Sequence, residues 1–360
     1  MKEKSLDSLR DDLRRKDERI VRLLSERAGI SIEIGKLKNA RNLEVYDPAQ
    51  ESRIYESLAG MNTEPLPREA VKNIFREILS ASRALQAPVI VACLGPEASF
   101  TDLAARIHFG ESARYMQQAT IADVFEEVER GRAAWGVVPL ENSSEGSVKP
   151  TLDRLISTPL GIRAEIFTRI SHSLMSKTEA VEQIRRIYSH PQALAQCRNW
   201  LRKNTPGCEL LETGSTAAAV RRVLEDPQGA AIGSSAAASL YGLNLLEERI
   251  EDQPSNTTRF VVIGRGVSEM TGRDKTSVLF GTPHTPGALY RALEPFAREG
   301  INLMRIESYP ARDRIWEYLF FVDLEGHTEN DTTARCLASL RRNTVFLKVL
   351  GSYPAGGPPV

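Results

Sequence analysis

Apolar side chains recur every three or four positions along the N-terminal part of the chain, with charged residues between them. The repeating positions are Leu6, Leu9, Leu13, Ile20, Leu23, Ile30, Ile34 and Leu37. This spacing predicts the seam of a long packed helix, and no proline interrupts it before Arg41. At ~1.5 Å per residue the helix is roughly 55 Å long. Because that exceeds the width of a small domain, we expect the helix to pack against a partner chain.

Two shorter helices complete the N-terminal segment. Asp47 before Pro48 is typical of a helix start, with the aspartate as N-cap and the proline at the first position. The stretch 60–67 predicts a turn, and a third helix follows with apolar residues at Val71, Ile74, Phe75, Ile78 and Leu79. Three helices scarcely bury a core alone, so the pattern again favours a dimer.

From Pro88 to about Gly266 the pattern changes to short apolar runs that alternate with helical stretches. The predicted strands are 89–92, 136–139, 186–188, 209–211, 230–232 and 259–263. This alternation predicts an α/β segment with a mainly parallel sheet. The long apolar run 161–177 indicates two lobes joined by crossing strands, with a cleft between them.

The C-terminal segment, 275–353, has the order βαββαβ of a ferredoxin-like α+β unit. Its predicted elements are 277–281, 287–299, 301–308, 317–322, 332–341 and 345–351. The Pro/Gly-rich tail 354–360 is expected to be loose. The predicted domains are therefore 1–87, 88–266 and 275–353, followed by the tail.

Composition narrows the class of protein. With 360 residues, two or three domains are expected, and 47 Lys+Arg against 47 Asp+Glu gives no reason to expect nucleic acid or a membrane surface. No apolar run approaches the length of a membrane helix, and charged residues at Met1–Ser5 argue against a secretion signal. Four scattered cysteines and five histidines lack metal-site spacing, so we expect a cytosolic protein with no metal or cofactor.

Cations on the first helix are candidates for binding a small anion. Arg27 lies on the apolar seam, where a cation is costly unless it is paired; a snorkelling or ion-paired arginine is the structural alternative. Lys38 follows eleven residues later and returns almost to the same face, roughly 16 Å along the helix. Arg10 lies roughly 25 Å from Arg27 on another face, so an antiparallel partner helix would have to deliver it.

With these residues, the segment 5–87 resembles the all-α chorismate mutases. The resemblance implies that Arg27 and the partner chain's copy of Arg10 bind the substrate carboxylates, and that Lys38 and Gln86 hydrogen-bond the ether oxygen. It also implies that Asp47, Glu51 and Ser82 line the site. Ser82 and Gln86 are four residues apart and so share a helix face. Gln50 departs from the family, which often has arginine there.

In the α/β segment, Ser/Thr-rich turns precede four predicted helices, at 98–101, 141–147, 214–217 and 233–236. Each is by itself an ordinary N-cap, but hydroxyls and free N–H groups at helix starts also suit carboxylates. Four of them after strands predict an anion-binding cleft at the strand ends.

Residues 89–266 resemble prephenate dehydratases. The motifs that carry this are Gly95-Pro96-x-x-Ser99-Phe100-Thr101, Val138-Pro139-x-Glu141-Asn142-Ser143-x-x-Gly146-Ser147-Val148, Ser189-His190-Pro191-Gln192-Ala193-Leu194, Ser215-Thr216-Ala217 and Thr258-Arg259-Phe260. The fold implied is two-lobed and similar to periplasmic binding proteins. Ala98 stands where the family often has glycine.

The resemblance implies roles for particular side chains of this segment. Thr258 would donate a hydrogen bond or relay a proton to the leaving hydroxyl, because its pKa is too high for a simple acid. Arg259 would bind a carboxylate or brace the cleft, and His190 is as well explained as a helix cap. The residues expected to bind and orient substrate are Ser99, Thr101, Asn142, Ser143, Gln192, Ser215 and Thr216.

The C-terminal segment resembles the ACT domain of this family, on Thr285-Pro286-Gly287-Ala288-Leu289 and Glu307-Ser308-Tyr309-Pro310. The resemblance implies that phenylalanine binds near Gly287, Ala288, Leu289, Asn302, Glu307 and Ser308. Tyr309 replaces the usual arginine of the family. A purely structural dimerisation module is the alternative.

Together the segments predict a bifunctional enzyme that converts chorismate to prephenate and prephenate to phenylpyruvate, as a homodimer with a tetramer left open. Two alternatives remain from sequence. The α/β segment could be a non-catalytic ligand-binding module that regulates the mutase. It could also be an arogenate dehydratase.

Overall fold

The computed structural model describes residues 5–41, 43–310 and 318–357, and of Ala217 the backbone alone. The charged residues 1–4, the predicted strand start at Glu317 and the end of the tail, 358–360, lie outside the described residues. The chain divides into two compact units. One comprises the described residues of Met1–Asp47, Ile54–Val89 and Phe109–Arg114, and the other those of Pro48–Arg53, Ile90–His108 and Tyr115–Val360.

Three helices form the N-terminal segment, as the apolar periodicity predicts. They are α1 (Leu6–Ala40), α2 (Pro48–Ala59) and α3 (Arg68–Gln86). The Ser5 side chain caps α1 by accepting from the N–H of Ser8. Helix α1 packs against α3, but its apolar seam stays open: Leu6, Ile30 and Leu37 are 63%, 60% and 59% exposed. Among the described residues of this chain, no segment covers the apolar seam of α1.

The α/β segment consists of two sheets with helices around them. The strands are β1 (Ile90–Leu94), β2 (Arg114–Gln118), β3 (Trp135–Asn142), β4 (Gly146–Ser147), β5 (Gly161–Arg169), β6 (Ser173–Ser176), β7 (Arg186–Ser189), β8 (Glu209–Glu212), β9 (Gly229–Gly233), β10 (Asn244–Glu247) and β11 (Thr257–Gly264). The helices are α4 (Phe100–Phe109), α5 (Ile121–Glu129), α6 (Lys149–Ser157), α7 (Pro191–Gln196), α8 (Arg198–Asn204), α9 (Thr216–Glu225) and α10 (Ser235–Tyr241), with a 3₁₀ turn at Val181–Gln183.

The two sheets are mixed, so the prediction of a mainly parallel sheet is wrong. The first has the order β2-β1-β3-β11-β5, with β4 paired to β3, and the second the order β10-β6-β9-β7-β8. β1 and β3 are parallel, as are β8, β7 and β9, whereas β11 is antiparallel to both β3 and β5. The reason is that the chain leaves the first sheet along β5, continues into the second sheet with β6, and returns along β11.

The C-terminal segment has the predicted βαββαβ order. Its elements are β12 (Asp274–Gly281), α11 (Ala288–Arg298), β13 (Leu303–Pro310), β14 (Tyr318–Glu325), α12 (Asp331–Arg342) and β15 (Phe346–Pro354), with the antiparallel sheet order β13-β14-β12-β15. The start of the tail is not loose. Pro354 pairs with Asp274, and the N–H of Gly356 donates to Glu165 at 2.8 Å.

One hydrophobic core joins the C-terminal sheet to the first α/β sheet. Ile162 and Val261 of the α/β segment share it with Leu279, Phe321 and Tyr353 of the C-terminal segment. The second α/β sheet has separate cores. Among the described residues no helix is both long and apolar enough to cross a membrane, and no His/Cys/Asp/Glu group could hold a metal ion.

Candidate functional site

The helical segment brings three of its predicted site residues together between α1 and α3. Arg27 donates from its guanidinium to the Ser82 hydroxyl, which itself donates to the Ile78 carbonyl at 2.7 Å. Gln86 lies one turn further along α3 and packs on Gly35 of α1, where an added Cβ would meet Gln86 Cγ at 2.7 Å. The buried Gln86 Oε1 has no hydrogen-bond partner among the described residues.

The other predicted site residues of this segment are less closely grouped. Lys38 donates from Nζ to the Val45 carbonyl at 2.8 Å. Arg10 is exposed, and its ion pair among the described residues is with Asp7 of its own turn, at 3.4 Å. Asp47 and Glu51 are partly buried, at the start of α2. The described chain therefore joins Arg27, Ser82 and Gln86, and it does not bring Arg10 to them.

A cleft of about 650 Å³ lies between the two lobes of the α/β segment. Predicted residues from both lobes line it: Ser99, Thr101, Asn142, Gln192, Ser215, Thr216 and Thr258. Ser143 and Arg259 do not line it. Residues separated by more than a hundred positions in sequence thus share one cavity. Three of the four predicted turns, 98–101, 141–147 and 214–217, contribute to its lining, whereas the turn 233–236 does not.

Helix N-termini supply much of the polar surface of the cleft. Ser99 immediately precedes α4 and accepts from the N–H of Asp102, and Ser215 caps α9 by accepting from the N–H of Ala218. Such ends favour anions, because their N–H groups are unpaired and the helix dipole is positive there. Ala98, in the turn before α4, has φ of +62°, a conformation that glycine adopts without strain. This explains why glycine is common at that position.

The amide of Asn142 is oriented by the backbone. Its Oδ1 accepts from the N–H groups of Ser144 and Glu145, at 2.9 and 3.3 Å. Its Nδ2 therefore points the other way and donates to Asn256 Oδ1 and Thr258 Oγ1, both at 2.8 Å. Since Thr258 Oγ1 accepts this bond, its own hydroxyl proton stays available for a group in the cleft.

Arg259 points away from the cleft into a buried ionic cluster with the C-terminal sheet. Its guanidinium pairs with Glu165 at 2.8 Å and with Asp323, and donates to Tyr353 Oη at 2.9 Å. Lys275 pairs with the same Glu165 at 2.8 Å. These contacts leave the guanidinium facing away from any substrate in the cleft. Of the two roles predicted for Arg259, these contacts favour the brace over the carboxylate ligand.

Arg259 and its neighbours form a buried group of charged and polar side chains, which we call the interdomain cluster (Glu165, Arg259, Lys275, Ser277, Asp323 and Tyr353). Burial opposes ionisation of Asp323, yet Arg259 and Ser277 outweigh it and lower the pKa of this carboxyl. Burial and the Asp323 charge raise the pKa of Tyr353, so its hydroxyl stays protonated. Asp323 is therefore ionised at neutral pH, because the charged guanidinium of Arg259 stabilises its carboxylate.

The residues that line the cleft and were given no role from sequence include His172, Gln196 and Asn256. His172 Nε2 lies 2.8 Å from Gln196 Oε1, and burial lowers the pKa of this imidazole against the opposing effects of Gln196 and Glu251. His172 carries no motif signal, whereas Asn256 precedes Thr258 by two residues in a motif segment. His190 caps α7 by accepting from the N–H of Gln192.

The predicted effector residues fall at two places in the C-terminal segment. Gly287 starts α11 with φ of +75°, and Ala288 after it lines a hollow of about 200 Å³ together with Arg291 and Arg342. Leu289 packs on the core beneath this helix. The other residues lie on or beside β13: Asn302, which donates to Glu325 at 3.2 Å, Glu307 and Ser308.

Strand β13 also contacts the α/β segment directly. The hydroxyl of Ser147, a residue of the cleft wall, donates to Glu307 and accepts from Arg305. Tyr309, which replaces the family arginine, is 6% exposed and donates to Asp153 of α6. Tyr309 therefore serves as a docking residue between β13 and α6.

Comparisons with known proteins cover all three segments in the same order. Residues 9–87 match the family model of chorismate mutase type II, residues 91–268 that of prephenate dehydratase, and residues 276–342 that of the ACT domain. A bifunctional chorismate mutase/prephenate dehydratase of Aquifex aeolicus is 47% identical over 353 residues, 97% of this chain and 98% of that relative.

Two further similarities agree. The enzyme of the same description from Stutzerimonas stutzeri is 43% identical over 344 residues, 94% of each chain. The structure of prephenate dehydratase from Arthrobacter aurescens in complex with L-Phe has a TM-score of 0.69 at 36% identity, covering 74% of this chain and 90% of that one. With its helical pair of α1 and α3, its two-lobed cleft and its ferredoxin-like C-terminal sheet, the chain belongs to the family of bifunctional chorismate mutase/prephenate dehydratases that carry an ACT domain.

Proposed function

We propose that the mutase reaction takes place between α1 and α3, with Arg27 binding a carboxylate of chorismate. Lys38 and Gln86 hydrogen-bond the ether oxygen, Ser82 holds Arg27, and Asp47 and Glu51 line the site. The rearrangement breaks a C–O bond as a C–C bond forms and needs no nucleophile. The enzyme assists by fixing the reactive conformer and by placing donors where negative charge develops on the ether oxygen.

The second half of this mutase site comes from another copy of the chain. Among the described residues of one chain, no contact brings Arg10 close to Arg27. The apolar seam of α1 also leaves large apolar side chains exposed. An antiparallel α1 from a second copy would cover the seam and bring its Arg10 to the carboxylates. Sedimentation of the full chain measures this: a monomer at assay concentration would contradict it.

The dehydratase reaction takes place in the cleft, with Thr258 as the donor to the leaving hydroxyl. Prephenate loses its ring carboxylate as CO₂; the electron pair of the broken C–C bond enters the ring, and the C–O bond to the hydroxyl breaks. The leaving oxygen takes a proton and departs as water. The observation that carries this role is the Asn142 amide, which donates to Thr258 Oγ1 and so directs the threonine proton elsewhere.

The neutral groups at the cleft orient the substrate. Two carboxylates meet the N-termini of α4 and α9, where Ser99, Thr101, Ser215 and Thr216 lie, and Gln192 contributes an amide. Ser143 acts indirectly: its hydroxyl accepts from the N–H of Thr257 at 2.9 Å. Arg259 braces the strand that carries Thr258.

Replacing Thr258 by valine tests the assignment, since valine keeps the shape and removes only the hydroxyl. Loss of one donor to developing negative charge costs about 10²–10³ in kcat. We expect such a fall in phenylpyruvate formation, with the mutase rate of the same protein unchanged and with partial recovery in Thr258→Ser. A Thr258→Val enzyme with wild-type kcat on prephenate would reject the assignment.

Phenylalanine is the proposed effector of the ACT segment, at Gly287, Ala288, Leu289, Asn302, Glu307 and Ser308. The L-Phe complex of the Arthrobacter aurescens enzyme supports this. Calorimetric titration of the protein with L-Phe, alongside the dehydratase rate, measures binding and inhibition separately; no heat and no rate change would contradict it.

The free thiols Cys93, Cys197, Cys208 and Cys336 support a cytoplasmic location. The two reactions and the effector site correspond to the segments 1–87, 88–266 and 275–353 of the chain.

A further inference from the structure

The side-chain amide of Asn256 has only one orientation that satisfies its neighbours. Backbone N–H groups fix Asn142 Oδ1, so Asn142 Nδ2 must donate, and Asn256 must present its oxygen to it at 2.8 Å. The Ser143 hydroxyl reaches the same oxygen at 3.5 Å. The assignment of oxygen and nitrogen in Asn256 therefore follows from backbone geometry at Asn142.

In this orientation the Asn256 Nδ2 group lacks a hydrogen-bond acceptor among the described residues. Asn256 is 2% exposed, and Nδ2 has no hydrogen-bond partner among the described residues. Asn256 also lines the cleft. A buried N–H without an acceptor is destabilising, so such groups usually mark a position where a ligand or ordered water completes the bonding.

The backbone holds this amide rigidly beside Thr258. The carbonyl of Asn256 accepts from the N–H of Ile170 at 2.8 Å. Asn256 precedes β11 and is two residues before Thr258, and residues two apart in an extended chain project to the same side. Asn142 contacts both side chains, at 2.8 Å each. The two available donors, Asn256 Nδ2 and the Thr258 hydroxyl, are thus neighbours across one amide.

We propose that Asn256 is a second hydrogen-bond donor of the dehydratase site, which contacts an oxygen of the substrate beside the one served by Thr258. The inference rests on the proposed reaction in this cleft. The acceptor is a carboxylate oxygen or the leaving hydroxyl of prephenate, since both take a hydrogen bond from an amide. A bond formed in the ground state acts on KM, and one that strengthens as the hydroxyl leaves acts on kcat.

Two variants of Asn256 separate the donor from a merely structural role. Asn256→Asp keeps an oxygen for Asn142 and removes the N–H, whereas Asn256→Leu removes both without adding charge. If the donor is needed, both variants lose kcat/KM on prephenate, by about ten- to a hundredfold for a bond to a charged oxygen. If Asn256 only orients Asn142, Asn256→Asp retains activity, and the proposal is overturned. Activity retained in Asn256→Leu overturns it as well.

The pH profile of Asn256→Asp adds a second readout, and Asn256→Leu, which adds no charge, controls for repulsion between the new carboxylate and the substrate carboxylates. Once protonated, the carboxyl group introduced by Asn256→Asp again offers a donor, so kcat/KM of this variant relative to wild type should rise as pH falls from 8 to about 5, above an enzyme-free blank. A pH-independent ratio would count against the donor. The mutase rate of each variant reports that the chain is folded.

Failure of this inference is distinguishable from failure of the proposed reaction. Wild type and Thr258→Val are assayed with prephenate in the same series. Loss in Thr258→Val with full activity in both Asn256 variants removes only the second donor. Full activity in Thr258→Val removes the assignment of Thr258, whatever the Asn256 variants do.

Discussion

Arg27 illustrates at the residue scale why one side chain can be read in two ways. A cation on an apolar seam is either a structural ion-pair member or a ligand for an anion. The described hydrogen-bond partner of Arg27 is the neutral hydroxyl of Ser82, which donates its own proton to the Ile78 carbonyl. Among the residues that the structure describes, no acidic group pairs with Arg27, which favours an anionic substrate as its partner.

Arg27→Ala is therefore expected to lower mutase activity and leave the fold intact. The loss of a charged hydrogen bond costs about 1.5–3 kcal/mol, roughly ten- to a hundredfold in kcat/KM for chorismate. The dehydratase rate of the same protein and its circular dichroism should match wild type. Unfolding of the helical segment, seen as lost helix signal, would instead identify Arg27 as a structural residue.

At the scale of elements, the mutase site depends on how closely α1 approaches α3. Gly35 allows this approach, because its Cα faces Gln86 directly. Helical glycine is otherwise unfavourable, by about 0.5–1 kcal/mol relative to alanine. Glycine is nevertheless needed at position 35, because any side chain there would displace Gln86. We propose that Gln86 hydrogen-bonds the ether oxygen of the substrate.

Gly35→Ala should accordingly lower the mutase rate, since the added Cβ would lie 2.7 Å from Gln86 Cγ and 3.1 Å from its Cα. Gly29→Ala is the matched control on the same helix, with nothing within 4 Å of the added Cβ. We expect at least a several-fold loss in kcat for the first and unchanged kcat with slightly higher helix stability for the second. Equal rates in both would mean that Gln86 does not act in catalysis.

At the scale of the whole molecule, the ACT sheet is part of the structure that holds the dehydratase strand β11. Arg259 follows Thr258 directly, and a β-bulge lies between Arg259 and Phe260 in the pairing with β3. A bulge re-aims neighbouring side chains and needs support. That support comes from Asp323 and Tyr353 of the C-terminal segment and from Glu165 of β5.

Asp323→Asn tests this dependence. Breaking a buried ion pair on one side leaves Arg259 partly uncompensated and costs about 3–5 kcal/mol of unfolding free energy. The dehydratase kcat should fall with it, while the mutase rate stays. The control is Glu294→Gln, which breaks an exposed 4.0 Å pair with Arg298 and should cost less than about 1 kcal/mol. Equal effects of the two variants in denaturant unfolding would contradict the role of the interdomain cluster.

The sign of its pH dependence follows from the same contacts. The folded pKa of Asp323 is lowered, so its contribution to stability is present above the ordinary carboxylate pKa, 3.8, and is lost as the pH falls through the lowered value. The difference in unfolding free energy between Asp323→Asn and wild type should therefore be largest near neutral pH and shrink in acid.

Local pattern was sufficient for the elements and for much of the chemistry. The 3–4 repeat from Leu6 to Leu37 determined α1, and the Ser/Thr-rich turns determined the helix starts at Ser99 and Ser215, because periodicity and capping act within a few residues. The motifs that identify the family were readable for the same reason. The cleft residues Asn142 and Thr258 were found from these motifs.

Which side chains contact each other depended on the folded arrangement of distant segments. Several features depend on partners distant in sequence or on the antiparallel return of β11. They are the direction of Arg259, the Asn256 Nδ2 group without an acceptor among the described residues, the burial of His172 and the docking of Tyr309. The segments, their order and their family could be predicted from the sequence alone. Sequence could not determine the direction of the Arg259 side chain, because the residues that follow it, Phe260 to Ile263, are apolar at every position and this pattern favours neither face of the strand.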